Sequence, residues 1–277
     1  MKKSIVWLAS YPKSGNTWTR IFLANYLANR DTPLSINEAH RFCMGDTIAK
    51  TYAMVAGRAV ETTNLDQMLG LRPRVLQRIV ANNADVNFVK THNINGMADP
   101  RFGPLIPEPL TRSAIYIMRN PLDMVMSYAR HYGMTHADAV EHVCHKDNAN
   151  QPDSQTVAQY LGSWSDHVQS WADKPKFPTL VLRYEDILDD PEAEFTKVLN
   201  HIGIPVEAER LARAIKFASF KELAKQEETG GFIEKPAHAE KFFARGEKGQ
   251  WQSELAPELV TKMRRAHKKT MKQYGYW

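Results

Sequence analysis

A three-layer α/β fold, with a central, mainly parallel sheet flanked by helices, is the fold class the sequence predicts, and two observations carry that prediction. Four short apolar runs rich in β-branched residues read as buried strands: Ile5–Ala9, Val86–Lys90, Ala114–Met118 and Thr179–Arg183. Longer helical patterns separate and follow them, at Thr17–Ala28, Arg74–Asn82, Pro121–His131, Thr156–Trp171, Glu192–Ile202, Glu207–Phe217 and Pro257–Tyr274. Strands that alternate with longer helices imply crossover connections, a parallel sheet and two covered faces. With no internal repeat or low-complexity linker in its 277 residues, the chain reads as a single domain over 1–277.

Taken in order, the start "MKKSIVWLASYPK" imitates a signal peptide, but its apolar run is short and Pro12-Lys13 closes it, so it reads as the first strand. Four prolines within Ala98–Pro109 predict an irregular loop over the sheet edge. Glu227–Gln250, rich in Gly, Lys and aromatic residues, has little periodicity and reads as a mobile flap. The basic run Arg264–Lys272 fits the solvated face of the last helix. No stretch approaches the ~20 apolar residues of a membrane span. Cys43 and Cys144 are too few and too far apart for a disulfide framework or a zinc site, so a cytoplasmic, reducing location is expected. His142 and His145 lack a third ligand at metal-binding spacing, and no metal is expected. The net charge of +5 suits an anionic ligand or simply a solubilising surface.

Ligands of parallel sheets bind beyond the carboxyl ends of the strands, and the chemically informative residues cluster there. The first strand runs into Tyr11-Pro12-Lys13-Ser14-Gly15-Asn16-Thr17 and a helix follows at once, a P-loop-like layout. It is not the nucleoside-triphosphate loop, because the lysine precedes the Ser-Gly pair. Gly15 admits close approach of an anion, Lys13 supplies a charge, and Asn16 and Thr17 open a helix whose first N–H groups are unpaired. After the second strand, Lys90 and His92 share one face, as a cation and a candidate general base. After the third, Asn120 caps a helix that Pro121 begins, and Arg119 leaves the strand end as a guanidinium fork, with Ser127 about two turns into that helix. No strand ends in an apolar-then-Asp metal ligand unless Asp186 takes that role.

"YPKSGNTW", "VKTHN", "RNPLDMVMSY", "RYEDILDDP", "SFKELAKQ" and "FFARGEKGQW" occur in the order found in cytosolic-type sulfotransferases, and the resemblance spans Ile5 to Trp251. It implies sulfuryl transfer from 3′-phosphoadenosine 5′-phosphosulfate (PAPS) to a hydroxyl or amine, without metal. The same resemblance implies that Lys13, Ser14, Gly15, Asn16 and Thr17 surround the 5′-phosphosulfate. Trp18 and Phe220 resemble the aromatic residues around the adenine, Tyr184 the group that bonds the base, and Arg119 and Ser127 the grip on the 3′-phosphate. Lys90 and His92 match the sulfuryl-contacting lysine and the catalytic base. In the late motif, usually Arg-Lys-Gly, this chain has Ala244-Arg245-Gly246, so the first basic residue is missing and Arg245 or Lys248 is left to replace it. The dimer motif of many animal members has no match after Trp251, which leaves the oligomeric state open. Regions Asn37–Asn64, Ala98–Pro109 and Thr135–Gln155 should form the acceptor side, for a small-molecule, peptide or lipid hydroxyl. The alternative, a kinase-like phosphotransferase, would need magnesium; nucleic-acid binding rests on the basic pI alone and ranks last.

Overall fold

The computed structural model describes residues 4–82, 84–173 and 175–277. Five strands form the main sheet: β1 (Ser4–Ser10), β2 (Met44–Gly45), β3 (Val86–Thr91), β4 (Thr111–Met118) and, last in the chain, β7 (Thr179–Arg183). Their spatial order is β2-β3-β1-β4-β7 and every neighbouring pair is parallel. The four strands legible in the sequence form the body of this sheet, with helices on both faces. β2 is two residues long, too short for any periodic signal.

β1 lies at the centre and is buried on both sides. Val6 and Leu8 face a core with Phe22 of the Asn16–Ala28 helix and Phe195 of the Pro191–Ile202 helix, whose rings stack with centroids 3.8 Å apart. Ile5, Trp7 and Ala9 face the opposite core, with Tyr116, Trp164 and Trp171. The period-2 alternation therefore feeds two apolar layers rather than one apolar and one wet face. In register, Ala9 lies opposite Thr91 on β3 and Ser10 opposite Ile117 on β4, so three strands end side by side.

No helix forms over the whole of the expected range Thr156–Trp171. Gln159–Tyr160 (β6) instead pairs antiparallel with Ala149–Asn150 (β5), and the helix occupies only Trp164–Ala172. Gly162 at φ 67 breaks the pattern, and Ser163 caps the true start by accepting from the Asp166 N–H. The helix expected from Arg74 begins earlier, at Leu65, and runs to Val80 through Pro73, with the Asn64 side chain as its cap. Short helices at Ala49–Ala56, His136–Cys144, Tyr184–Asp189 and Phe220–Gly230 lay outside the expected set. The last includes Glu227, so the expected flap loses its first residues to a helix; 231–250 has only turns and bends. No helix among the described residues is long and apolar enough to cross a membrane.

Candidate active site

The turn after β1 owes its shape to two left-handed residues, Lys13 at φ 68 and Gly15 at φ 104. Gly15 tolerates that region at no cost, whereas Lys13 is strained there by roughly 1 kcal/mol. A Cβ at Gly15 would also lie 2.8 Å from the Tyr184 ring. The Asn16 side chain donates to the Leu8 carbonyl at 2.9 Å, tying the loop to its strand. Gly15 caps the following helix without a side-chain acceptor, so the first-turn N–H groups stay free for a ligand. Ser14 Oγ is buried with no hydrogen-bond partner, and so is Asn16 Oδ1. Free helix-start N–H groups in a loop that also carries Lys13 fit a phosphate-like anion.

At the end of β3, His92 Nδ1 lies 2.8 Å from the Ser10 carbonyl oxygen. A carbonyl only accepts, so Nδ1 carries the proton and Nε2 is left with its lone pair. Burial, reinforced by the charge of Lys90, holds the His92 pKa well below its ordinary value, so the ring is neutral. The main chain behind it is clamped: His167 Nε2 donates to the His92 carbonyl at 3.1 Å, and Trp171 Nε1 to that of Asn93 at 3.1 Å. Buried Asp46 collects Arg72, Thr91 and Asn93 on one carboxylate oxygen, at 2.6, 2.8 and 3.1 Å, fixing the same strand end from the side.

At the end of β4, the Asn120 side chain accepts from the Leu122 N–H at 3.0 Å and caps the Pro121–Tyr132 helix. Arg119 reaches back to the Lys13 carbonyl at 3.3 Å and across to that of Glu247 at 3.0 Å, with its guanidinium 4.4 Å from the Tyr184 ring centroid. Its Nε is buried and unpartnered.

These strand ends open onto one cavity of about 610 Å³. Lys13, Gly15, Asn16, Thr17, Trp18, Lys90, His92, Arg119, Ser127, Tyr184, Phe220, Arg245 and Gly246 all line it. Ser14, also expected there, lies beneath the loop rather than in the lining. Trp18 packs edge-on against Tyr184, while Phe220 meets Phe243 on the other wall. A Cβ at Gly246 would come within 2.4 Å of the Phe220 ring, so glycine is required for the late motif to lie against that aromatic. Lys248 does not line the cavity and pairs with Asp189 instead.

Two residues were not foreseen. Arg20, one turn beyond Thr17 and 3% exposed, meets Glu234 from segment 231–250 at 2.7 Å. That carboxylate also lies 3.6 Å from Lys90. The pairing spans more than two hundred positions, and only the i, i+3 relation of Arg20 to Thr17 hinted at one half of it. Lys90 and Arg20 together hold Glu234 ionised, with a pKa far below the carboxylate range. Burial and the neighbouring Lys90 and Arg119 charges bring Lys13 down to about 7, and its ammonium sits 3.8 Å above the Phe242 ring. Burial likewise lowers Lys90, against the opposing pull of Glu234. Among the described residues, no three His, Cys, Asp or Glu side chains gather as a metal site.

A helix-start anion cradle, a neutral histidine and a second cationic end, all on the carboxyl edge of a parallel sheet, define a group-transfer site for an anionic donor. The chain belongs to the sulfotransferase domain family, whose pattern its residues 3–275 match. It is 26% identical over 282 residues to mouse (Mus musculus) sulfotransferase 1 family member D1, covering 95% of this chain and 82% of that one. Guinea-pig (Cavia porcellus) sulfotransferase 1E1 is 25% identical over 284 residues, with 96% and 82% covered. Among solved structures, retinol dehydratase in complex with androsterone and the inactive cofactor PAP superposes with a TM-score of 0.67 at 18% identity, covering 98% and 82% of the two chains. Mouse sulfotransferase SULT7A1 complexed with PAP gives 0.62 at 20% identity, covering 98% and 84%. At these identities the structural matches speak to the fold.

Proposed function

We propose that this sulfotransferase moves the sulfuryl group of PAPS to a hydroxyl acceptor, with His92 as the base. The observation that carries the reading is His92 itself: neutral, its Nε2 free, beside Lys90 and within one cavity with the Lys13 loop. The PAP named with retinol dehydratase and with SULT7A1 supports the nucleotide, and the retinol and androsterone named with retinol dehydratase support a small hydroxyl acceptor.

PAPS, when bound, supplies an activated sulfuryl group on its 5′-phosphate. His92 Nε2 takes the acceptor's hydroxyl proton as that oxygen bonds to sulfur. Lys13 and the helix-start N–H groups of Asn16 and Thr17 stabilise the phosphate oxygen that keeps the electron pair of the broken S–O bond. Lys90 balances charge on the sulfuryl oxygens. Trp18, Tyr184 and Phe220 hold the adenine, Arg119 and Ser127 the 3′-phosphate, and Gly246 with Arg245 closes over that end. Positioning and charge stabilisation carry most of the rate, as in phosphoryl transfer. The thiols of Cys43 and Cys144 are free, which accords with a cytoplasmic location.

The test is transfer from PAPS to a panel of phenols and alcohols by wild type and His92→Ala. Wild type should sulfate at least one acceptor, and the variant should lose about 10²–10⁴-fold in rate with unchanged nucleotide affinity. A variant as fast as wild type removes His92 from the base role.

A further inference from the structure

The late motif lacks its first basic residue at Ala244, and the two obvious substitutes are already engaged. Arg245 is ion-paired with Glu254, and Lys248 is held by Asp189 outside the cavity. Arg119 spends two of its nitrogens on main-chain carbonyls. A different cation stands at this end. Arg130 follows Ser127 by three residues in the Pro121–Tyr132 helix, the spacing that puts two side chains on one face, and both line the cavity. Among the described residues Arg130 has no ion pair with any carboxylate.

We infer that Arg130 is a cation of the 3′-phosphate subsite and replaces the charge missing at Ala244. The inference rests on the proposed PAPS reading and adds a residue to it. Arg119, Arg130 and Arg245 all line the cavity, Arg130 lies within electrostatic reach of the other two, and Glu254 neutralises a single one of these charges. The remaining excess of positive charge matches a phosphate monoester dianion, and a guanidinium next to the Ser127 hydroxyl offers it two kinds of donor. Consistent with this crowding, burial and then the charges of Arg245 and Arg119 lower the Arg130 pKa. The departure in the late motif is thus offset one helix away.

Calorimetric titration of wild type, Arg130→Gln and Arg130→Lys with 3′-phosphoadenosine 5′-phosphate and with adenosine 5′-phosphate separates the possibilities. Wild type should prefer the bisphosphate. Arg130→Gln should lose about tenfold or more in bisphosphate affinity while keeping its affinity for the monophosphate, with partial recovery in Arg130→Lys. The Arg130 side chain opens onto the cavity rather than packing in either core cluster, so a thermal melt should show both variants folded. An undiminished preference in Arg130→Gln overturns the inference and leaves the nucleotide reading standing. No preference in wild type overturns the nucleotide reading, and the Arg130 role falls with it.

Discussion

The two walls of the cavity are built differently. On the sheet side, Lys13, Lys90, His92 and Arg119 stand at the ends of three adjacent parallel strands, backed by main-chain clamps from Asn16, His167 and Trp171. Segment 231–250 forms much of the opposite wall and has no ladder of its own. Carboxylates fasten it, among them Glu227, which accepts from the Phe242 and Phe243 N–H groups at 2.6 and 2.9 Å, Asp123, which accepts from those of Gly249 and Trp251 at 2.7 and 3.0 Å, and Glu234, which pairs with Arg20 and Lys90. A wall held by sheet register keeps its geometry when any one side chain changes. A wall held by side-chain carboxylates depends on each of them. On the proposed reading, the groups that act on the transferred sulfuryl stand on the first wall, where geometry is held most tightly.

Removing one fastener should break the symmetry between the walls most visibly. Glu234→Gln leaves Arg20, buried and short of a counter-charge, and should cost about 2 kcal/mol, less than a fully buried pair because Glu234 is 28% exposed. In hydrogen exchange, protection should fall over 231–250 and stay unchanged over β1, β3 and β4. Equal loss in both regions would mean that the walls are one cooperative unit, and the contrast would be false.

A smaller effect sharpens the same contrast from the sheet side. The Lys13 pKa of about 7, against an ordinary 10.5, means that folded Lys13 is largely neutral at pH 8 while the unfolded chain keeps it charged. Between those values the unfolded state binds more protons, so this group's contribution to stability rises with pH across that window and is least below about 7. An arriving phosphate dianion pulls the value back up. Binding of 3′-phosphoadenosine 5′-phosphate at pH 8 should therefore take up close to one proton, read from the dependence of the heat on buffer ionisation enthalpy, and less at pH 6. A buffer-independent heat at pH 8 would place Lys13 outside the anion's reach.

What the sequence disclosed follows the same division. Strands buried on both faces write themselves as apolar runs, and the loop after β1 needs Lys, Gly and a helix start within five positions, so β1, β3, β4, β7 and the residues at their ends were legible. β2 is held by neighbours rather than by its own pattern, and β5–β6 hides inside a stretch whose apolar spacing imitates a helix until Gly162. Arg20 and Glu234 could not be paired by inspection, since each is an ordinary charged residue until the fold joins them. Ser14 sits in the expected motif yet lies under the loop, because a motif fixes sequence position and not the direction of a hydroxyl. Arg130 was within reach, one turn from a residue already singled out.

Calorimetry on chelator-treated protein decides whether this cavity takes an adenosine 3′,5′-bisphosphate without a metal. The expected result is tight binding of 3′-phosphoadenosine 5′-phosphate in the absence of magnesium and weak binding of ATP with magnesium. Tight binding of ATP–magnesium with no measurable affinity for the bisphosphate would contradict it and make the site that of a kinase-like phosphotransferase.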